Sequence, residues 1–407
     1  MSRLIKKKNR SRMRVNSKKG SSAVFLTVIL AALISVTLAL VYGVREAAVR
    51  SASDAVLSLA GDSVLSEFDR RLQREYGLFL IKGTDKALTG KFYDYIGYSL
   101  DGSENVKLNS LKVSAGKFSV ADPAVIREQI TEHMKVAQTG DEAGQQNNME
   151  SRELRHGPTI ASLPSAGMPK KGLTASAEAL AGKASSVSEA FKSGTDDYLI
   201  NRYVFSRFNS KVNAINDKHF FSREVEYILG GEMSDRKNEK RVELALKAMR
   251  FPVNLAYLYS DTEKQAALAA AAQIMTPGPA AAATQAALAS TWAYAESDND
   301  VELLWQGRKI PMIKDDSTWA VELDDAIEGI FGGTVQPAVE KGYDYNEYLQ
   351  ILLFFQDDNV KLSRILDLIQ INMRAEYDRD FLIGEYAAGI NVQVRINGKM
   401  YEYDKRY

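Results

Sequence analysis

Residues 20–44 read GSSAVFLTVILAALISVTLALVYGV, 25 consecutive positions without a charge. A bilayer core needs about 20 predominantly apolar residues in helical form. Directly before the run stand nine basic residues: Arg3, Lys6, Lys7, Lys8, Arg10, Arg12, Arg14, Lys18 and Lys19. No acid occurs among them, and Arg45 and Glu46 close the run. A buried core helix has no need of an all-basic flank. A transmembrane helix with its basic end in the cytoplasm does. The run therefore predicts one span over 20–44, a cytoplasmic tail over 1–19, and residues 45–407 outside the cell membrane.

Charge supports this division. The whole chain is formally neutral, with 52 Lys+Arg and 52 Asp+Glu. With the nine tail residues set aside, 43 basic residues face 52 acidic ones, a net of −9. A basic tail also suits nucleic acid, but this one lacks interleaved aromatics for base stacking. A cleaved secretory signal has a shorter apolar region, and the small-residue site near Val41-Tyr42-Gly43 is weak. A type IV prepilin leader ends in Gly after a basic stretch, as Lys18-Lys19-Gly20 does. It then carries Glu five residues on, where this chain has Phe25.

No breaker follows the span. Apolar residues recur at Val49, Ala52, Val56 and Leu59, then at Ala60, Val64, Phe68, Leu72, Tyr76 and Phe79. Steps of three and four residues mark one helical face. The spacing predicts an amphipathic helix over 45–80 continuous with the span, roughly 85 Å in all at 1.5 Å per residue. Its outer half must bury its stripe in a head.

The remainder reads as mainly α with small β elements. A small α/β segment is expected over 81–137. It has one or two strands in 106–120 with a turn near Ala115-Gly116, then a helix opened by Asp122-Pro123. Residues 138–195 hold no Tyr or Trp and few large apolar residues. Such composition buries too little surface to offset its ordering entropy, so it predicts a flexible linker, with at most a short helix at 174–192. A mainly helical domain follows over 196–407. Its helices are expected at 198–215, 222–229, 235–259, 261–275, 280–296, 345–356 and 360–374, with a short strand at 309–314. Pro252 is expected to kink the third of these. Ser260 to Glu263 and Asp344 to Glu347 read as capping boxes. The end is a hairpin: Ile390, Val392, Val394 and Ile396 alternate, and Asn397-Gly398 supplies a type I′ turn.

Chemistry is harder to find. With no cysteine, disulfides and thiolate sites are excluded, and His133, His156 and His219 are spaced like no His-based metal motif. No nucleophile elbow, P-loop, zinc-protease or dinucleotide fingerprint occurs. Glu296, Asp298, Asp300 and Glu302 could hold calcium, but they lack the glycine and spacing of a calcium loop and read as helix caps. Asp324-Asp325 and Asp357-Asp358 read as exposed caps too. His219, beside Phe220-Phe221, reads as a core-edge residue. Trp292, Trp305 and Trp319 read as packing. No catalytic, cofactor-binding or metal-ligating residue is assigned, and no small-molecule substrate or nucleic acid is expected.

Several stretches carry a family resemblance. They include Gly43-Val44-Arg45-Glu46-Ala47-Ala48, Glu75-Tyr76-Gly77-Leu78-Phe79, Arg223 to Gly230, Ser234 to Asn238 and Arg250 to Leu258. Trp292 to Glu296, Gly307 to Met312, Tyr345 to Leu353 and Leu366 to Gln370 continue them. Together they resemble an uncharacterised Firmicutes family found with tight-adherence (Tad) pilus genes. Its N-terminal arrangement is similar to that of TadE/TadG-type minor pilins or pseudopilins. The resemblance implies a role in pilus assembly or surface adherence. Together with the absence of an assigned active site, the span and Phe25, it gives the expectation of a non-enzymatic, accessory or minor pilin-like component of a pilus or secretion apparatus, with membrane lipid and assembly proteins as partners. The alternative is an independent membrane-anchored surface-binding or adhesion protein.

Overall fold

The computed structural model describes residues 19–100, 106–137, 150–155, 157–170, 172–181, 191–192, 195–329 and 334–407. The basic tail, apart from Lys19, lies outside them. The fold is mainly helical, with small antiparallel sheets built largely from the C-terminal end of the chain.

Helix α1 (Lys19–Leu65) has 47 residues and is about 70 Å long. Its first half stands clear of the head, with every large apolar side chain from Val24 to Val44 exposed. Its second half packs through Ser53, Leu57, Ala60, Val64 and Leu65. The helix does not run to Leu80 as its periodicity predicts. Asp69 caps a new helix, α2 (Arg70–Tyr76), by accepting from the Arg71 and Leu72 amides. Gly77 ends α2 at φ 68, where a Cβ would fall 2.2 Å from the His133 ring. Leu72, Tyr76, Leu78 and Leu80 remain buried, so the apolar pattern is real but serves a helix–turn–helix–strand path.

That path ends in β1 (Ile81–Lys82), paired antiparallel with β3 (Tyr386–Ala387). Helix α3 (Asp85–Leu100) follows. Strands β2 (Leu108–Ser114), β4 (Gly389–Ile396) and β5 (Lys399–Arg406) form an antiparallel sheet in the order β2-β4-β5. The expected hairpin is present, with Asn397 at φ 50 and Gly398 at φ 81 in its turn. Ile390, Val392, Val394 and Ile396 bury one face against Leu57, Ala60 and Val64 of α1 and Phe92 and Ile96 of α3. The sheet thus joins the last residues of the chain to the outer half of its first helix.

The central core is helical. Helix α4 (Pro123–Val136) starts at Asp122, which accepts from the Ala124 amide. Two short helices, α5 (Gly157–Ala161) and α6 (Leu173–Ala181), come next. Then come α7 (Asp196–Arg207), α8 (Glu224–Gly230) and α9 (Asp235–Ser260). Helices α10 (Thr262–Met275), α11 (Ala281–Trp305) and α12 (Leu323–Glu328) form an outer layer around Leu268, Ala272, Ala289, Trp292 and Trp319. Helices α13 (Tyr345–Phe354) and α14 (Asp358–Glu376) return to the centre, where every residue of α14 from Lys361 to Met373 is buried.

The linker expected over 138–195 is corrected where it is described. Leu163, Ala177 and Leu180 are buried in the central core, and α6 lies along α9. The Ser165 amide and hydroxyl both donate to Asp367, and the Arg152 amide donates to Asp235 at 2.8 Å. The segment supplies few large side chains because it lies on a surface other helices have already built. Its backbone N–H groups answer buried carboxylates there. Residues 138–149, 156, 171, 182–190 and 193–194 lie outside the described residues.

Other departures are local. Helix α7 stops at Arg207 rather than at Ile215, because the Asn209 side chain accepts from the Ile215 and Asn216 amides and folds the chain back. The segment 309–314 makes only one bridge, Ile310 to Tyr343. Asp261 caps α10 by accepting from the Lys264 amide at 2.9 Å. The capping box at Asp344 and Glu347 is complete.

Candidate functional site

Among the described residues one helix, α1, is long and apolar enough to cross a membrane, and its apolar half is unburied. Three of its polar groups are answered within the helix. Thr27, Ser35 and Thr37 donate to the Val24, Ala31 and Ile34 carbonyls at 2.8 to 2.9 Å. A hydroxyl bonded to its own helix needs no water, which is the condition lipid imposes. At the end of the run Lys399, in the hairpin, pairs with Glu46. Further out, Tyr403 donates to the Leu57 carbonyl at 2.7 Å, Lys405 pairs with Asp62 at 2.7 Å, and Tyr407 donates to the Leu65 carbonyl. Strand β5 is therefore fastened along α1 from residue 46 to residue 65. An open cleft of about 440 Å³ lies between them, lined by Arg50, Asp54, Met400 and Tyr401 among others.

The head contains a second constellation, absent from the sequence reading. Arg250 on α9 donates to Asp300 on α11 at 2.9 Å, to the Met312 carbonyl at 2.6 Å, and to Asn254 at 3.0 Å. Lys314 pairs with Asp300 at 2.6 Å and also with Glu296. Glu296 further accepts from the Ala320 and Val321 amides. All four charged side chains are fully buried. Burial raises the Asp300 pKa, but Lys314 and Arg250 outweigh it and hold the carboxylate below its ordinary range. Two cations balance two anions, and α9, α11, the 310–321 loop and Tyr348 of α13 meet at the group.

Glu296, Asp298, Asp300 and Glu302 thus do not cap helices. They sit inside α11, where Asp298 pairs with Lys247 on the outer side and the buried pair faces Lys314 and Arg250. One signal in the sequence could have disclosed this. Arg250 and Asn254, like Glu296 and Asp300, are four residues apart on otherwise apolar helix faces.

Other carboxylates of the head are buried as well, among them Glu224, Glu226 and Asp367. Glu224 accepts from His219 Nδ1 and the Asn209 amide, both at 2.8 Å, and from Asn372 at 2.6 Å. Burial lowers the His219 pKa, but the Glu224 carboxylate outweighs it and leaves the imidazole above its ordinary value. Asp367 accepts from Tyr227 at 2.8 Å. Glu226 accepts from the Lys211 amide and Tyr345, while its Oε2 has no partner among the described residues. Burial pushes its pKa up to about 7. Trp292 and Trp319 meet edge to face at 5.5 Å, and both indoles donate to the Val321 carbonyl. Lys211 lies 4.0 Å above the Trp305 ring.

All of these groups lie between residues 209 and 372. The chain belongs to a family of unknown function (DUF5702). The family's model matches residues 144–398, which takes in the buried ionic groups, the α5–α6 segment and strand β4, and leaves out α1 to α4. No curated protein and no solved structure matches the chain.

Proposed function

We propose that this protein is a non-enzymatic, single-pass membrane protein with its N-terminus in the cytoplasm and residues 45–407 outside the cell membrane. In this reading it serves as an accessory or minor pilin-like subunit of a Tad-like pilus or secretion apparatus. One observation carries the proposal: α1 is a single helix, bare and apolar over its first half and packed into a head over its second. A pilin-like spine is built in that way. The basic tail orients the span, and assembly proteins and membrane lipid are the partners.

The non-enzymatic reading is supported by how the head uses its ionisable groups. The Arg250–Asp300–Lys314–Glu296 group is sealed, neutral overall and bonded to four segments, which suits holding helices in register. The accessory reading is supported at the N-terminus. A polymerising pilin loses its basic leader and offers a carboxylate to its new amine. Here Phe25 stands at that place, and Glu46, the first acid beyond, is held by Lys399. An unpaired amine in an apolar filament core is costly.

The test is mass spectrometry of the native N-terminus together with fractionation of sheared filaments. Peptides from before Gly20 on the mature, membrane-bound protein are the expected result. A mature N-terminus at Ser21 with the protein in the filaments would replace the accessory subunit by a pilin. A protein that crosslinks to no assembly component in cells making such a pilus would favour the independent adhesion protein.

A further inference from the structure

We propose that the tip of the β4–β5 hairpin, residues 397–400, rests in the outer headgroup layer of the membrane that α1 crosses, and that Lys107 and Arg395 there engage anionic lipid headgroups. The inference rests on the membrane reading of α1 and adds a partner for the head.

Position comes first. The uncharged run of 25 residues is about 37 Å long as a helix, while the hydrocarbon core is about 30 Å thick. The run therefore reaches through the core and ends, near Tyr42 to Val44, among the headgroups. Tyr42 is well exposed there, as an interfacial aromatic anchor is. Glu46 follows about 3 Å further along the axis. Because Lys399 pairs with Glu46, the hairpin tip is held at that level.

The head also cannot swing away from it. Helix α1 is unbroken through this region, and β5 is fastened to it again at Leu57, Asp62 and Leu65. The tip keeps its height relative to the span.

The chemistry of the tip suits a lipid surface. Met400 is 59% exposed. Lys107 is bound to the turn through its backbone: its amide donates to Asn397 Oδ1 at 2.9 Å and its carbonyl accepts from the Asn397 amide at 3.0 Å. Arg395 stands opposite Met400 in the ladder. Lys107 and Arg395 are exposed, and neither has a carboxylate partner among the described residues. Arg45 and Arg50 lie on α1 beside the same level. Among the described residues the acids nearby are Glu46, held by Lys399, Glu402, which accepts from Asn391 and Gln393, and Asp54, a further two turns out. Among these residues the balance is cationic, and a charge near an anionic membrane surface is attracted within a Debye length.

The chain has no cysteine, so single labels are unambiguous. Full-length protein carrying Met400→Cys, Val41→Cys or Ile274→Cys, each labelled with a fluorophore, is placed in nanodiscs of zwitterionic lipid with or without phosphatidylglycerol. The quencher is a lipid with a nitroxide at its headgroup. Quenching is expected at residues 41 and 400 and absent at the exposed residue 274. Quenching at 41 without quenching at 400 overturns the proposal. Absence at 41 overturns the membrane reading itself. With phosphatidylglycerol present, the nitroxide is carried in turn by the anionic and by the zwitterionic lipid, and Lys107→Gln or Arg395→Gln in the Met400→Cys background is expected to lower the ratio of anionic to zwitterionic lipid at the tip about fivefold per charge removed. An unchanged ratio overturns the assignment of anionic lipid. Both variants replace exposed side chains, and an unchanged thermal midpoint shows that the fold is intact.

Discussion

Arg250 makes four hydrogen bonds inside the head and is fully buried. Its removal would leave Asp300 and Glu296 sharing Lys314 as their one buried cation and strand the Met312 carbonyl. Breaking a buried pair from one side costs about 3–5 kcal/mol, because a charge stays behind uncompensated. Arg250→Met is therefore expected to lower stability by that amount, read as the urea midpoint of the detergent-solubilised chain. Glu226 has the opposite character. Its folded pKa of about 7 lies above the ordinary 4.5, so the folded state binds the proton more tightly than the unfolded state does. Stability from this group is full below about pH 4.5 and falls as pH rises to about 7, by about 3 kcal/mol in all. Glu226→Gln is expected to remove that slope, shrinking the stability difference between pH 5 and pH 8. An unchanged difference would mean that the carboxylate ionises as it does in water. Both residues look like ordinary surface charges in the sequence. Only their positions on apolar helix faces hint at burial, and no local pattern says which cation meets which anion.

Among the elements, the ones with local instructions match expectation. Asp122-Pro123, the Asp344/Glu347 box and Asn397-Gly398 act over three or four residues, and each appears where the sequence puts it. The elements that depart are those decided by something distant. The periodicity from Val49 to Phe79 is satisfied by two helices instead of one, because Leu78 to Leu80 leaves the helix to feed the β1–β3 pair. The α5–α6 segment departs most. Its composition argues for disorder, yet Leu163 is 3% exposed and Ser165 answers Asp367. Leu163→Ala is expected to cost about 2–3 kcal/mol, as a buried leucine should. A change within about 0.5 kcal/mol, in the same denaturation measurement, would return the segment to the status of a linker.

At the scale of the whole molecule, α1 links an exposed apolar half to a packed half, and the last strand of the chain braces the junction. Protease added to intact, wall-stripped cells is expected to degrade the chain beyond about residue 45 and to spare the span and tail. A fully protected chain would reverse the topology. The long apolar helix, the helical class, the hairpin and the principal caps were legible in sequence, because each rests on a periodicity or a turn chemistry that short stretches carry by themselves. The buried ionic group, the end of α1 at Leu65, the docking of α5–α6 and the seating of the hairpin on Glu46 were decided by tertiary structure. Each of these depends on residues far apart in the chain: Arg250 with Asp300 and Lys314, Ser165 with Asp367, Glu46 with Lys399. A charge or a short polar segment becomes part of a core only when a partner from another element cancels its desolvation cost, and sequence spacing does not identify that partner.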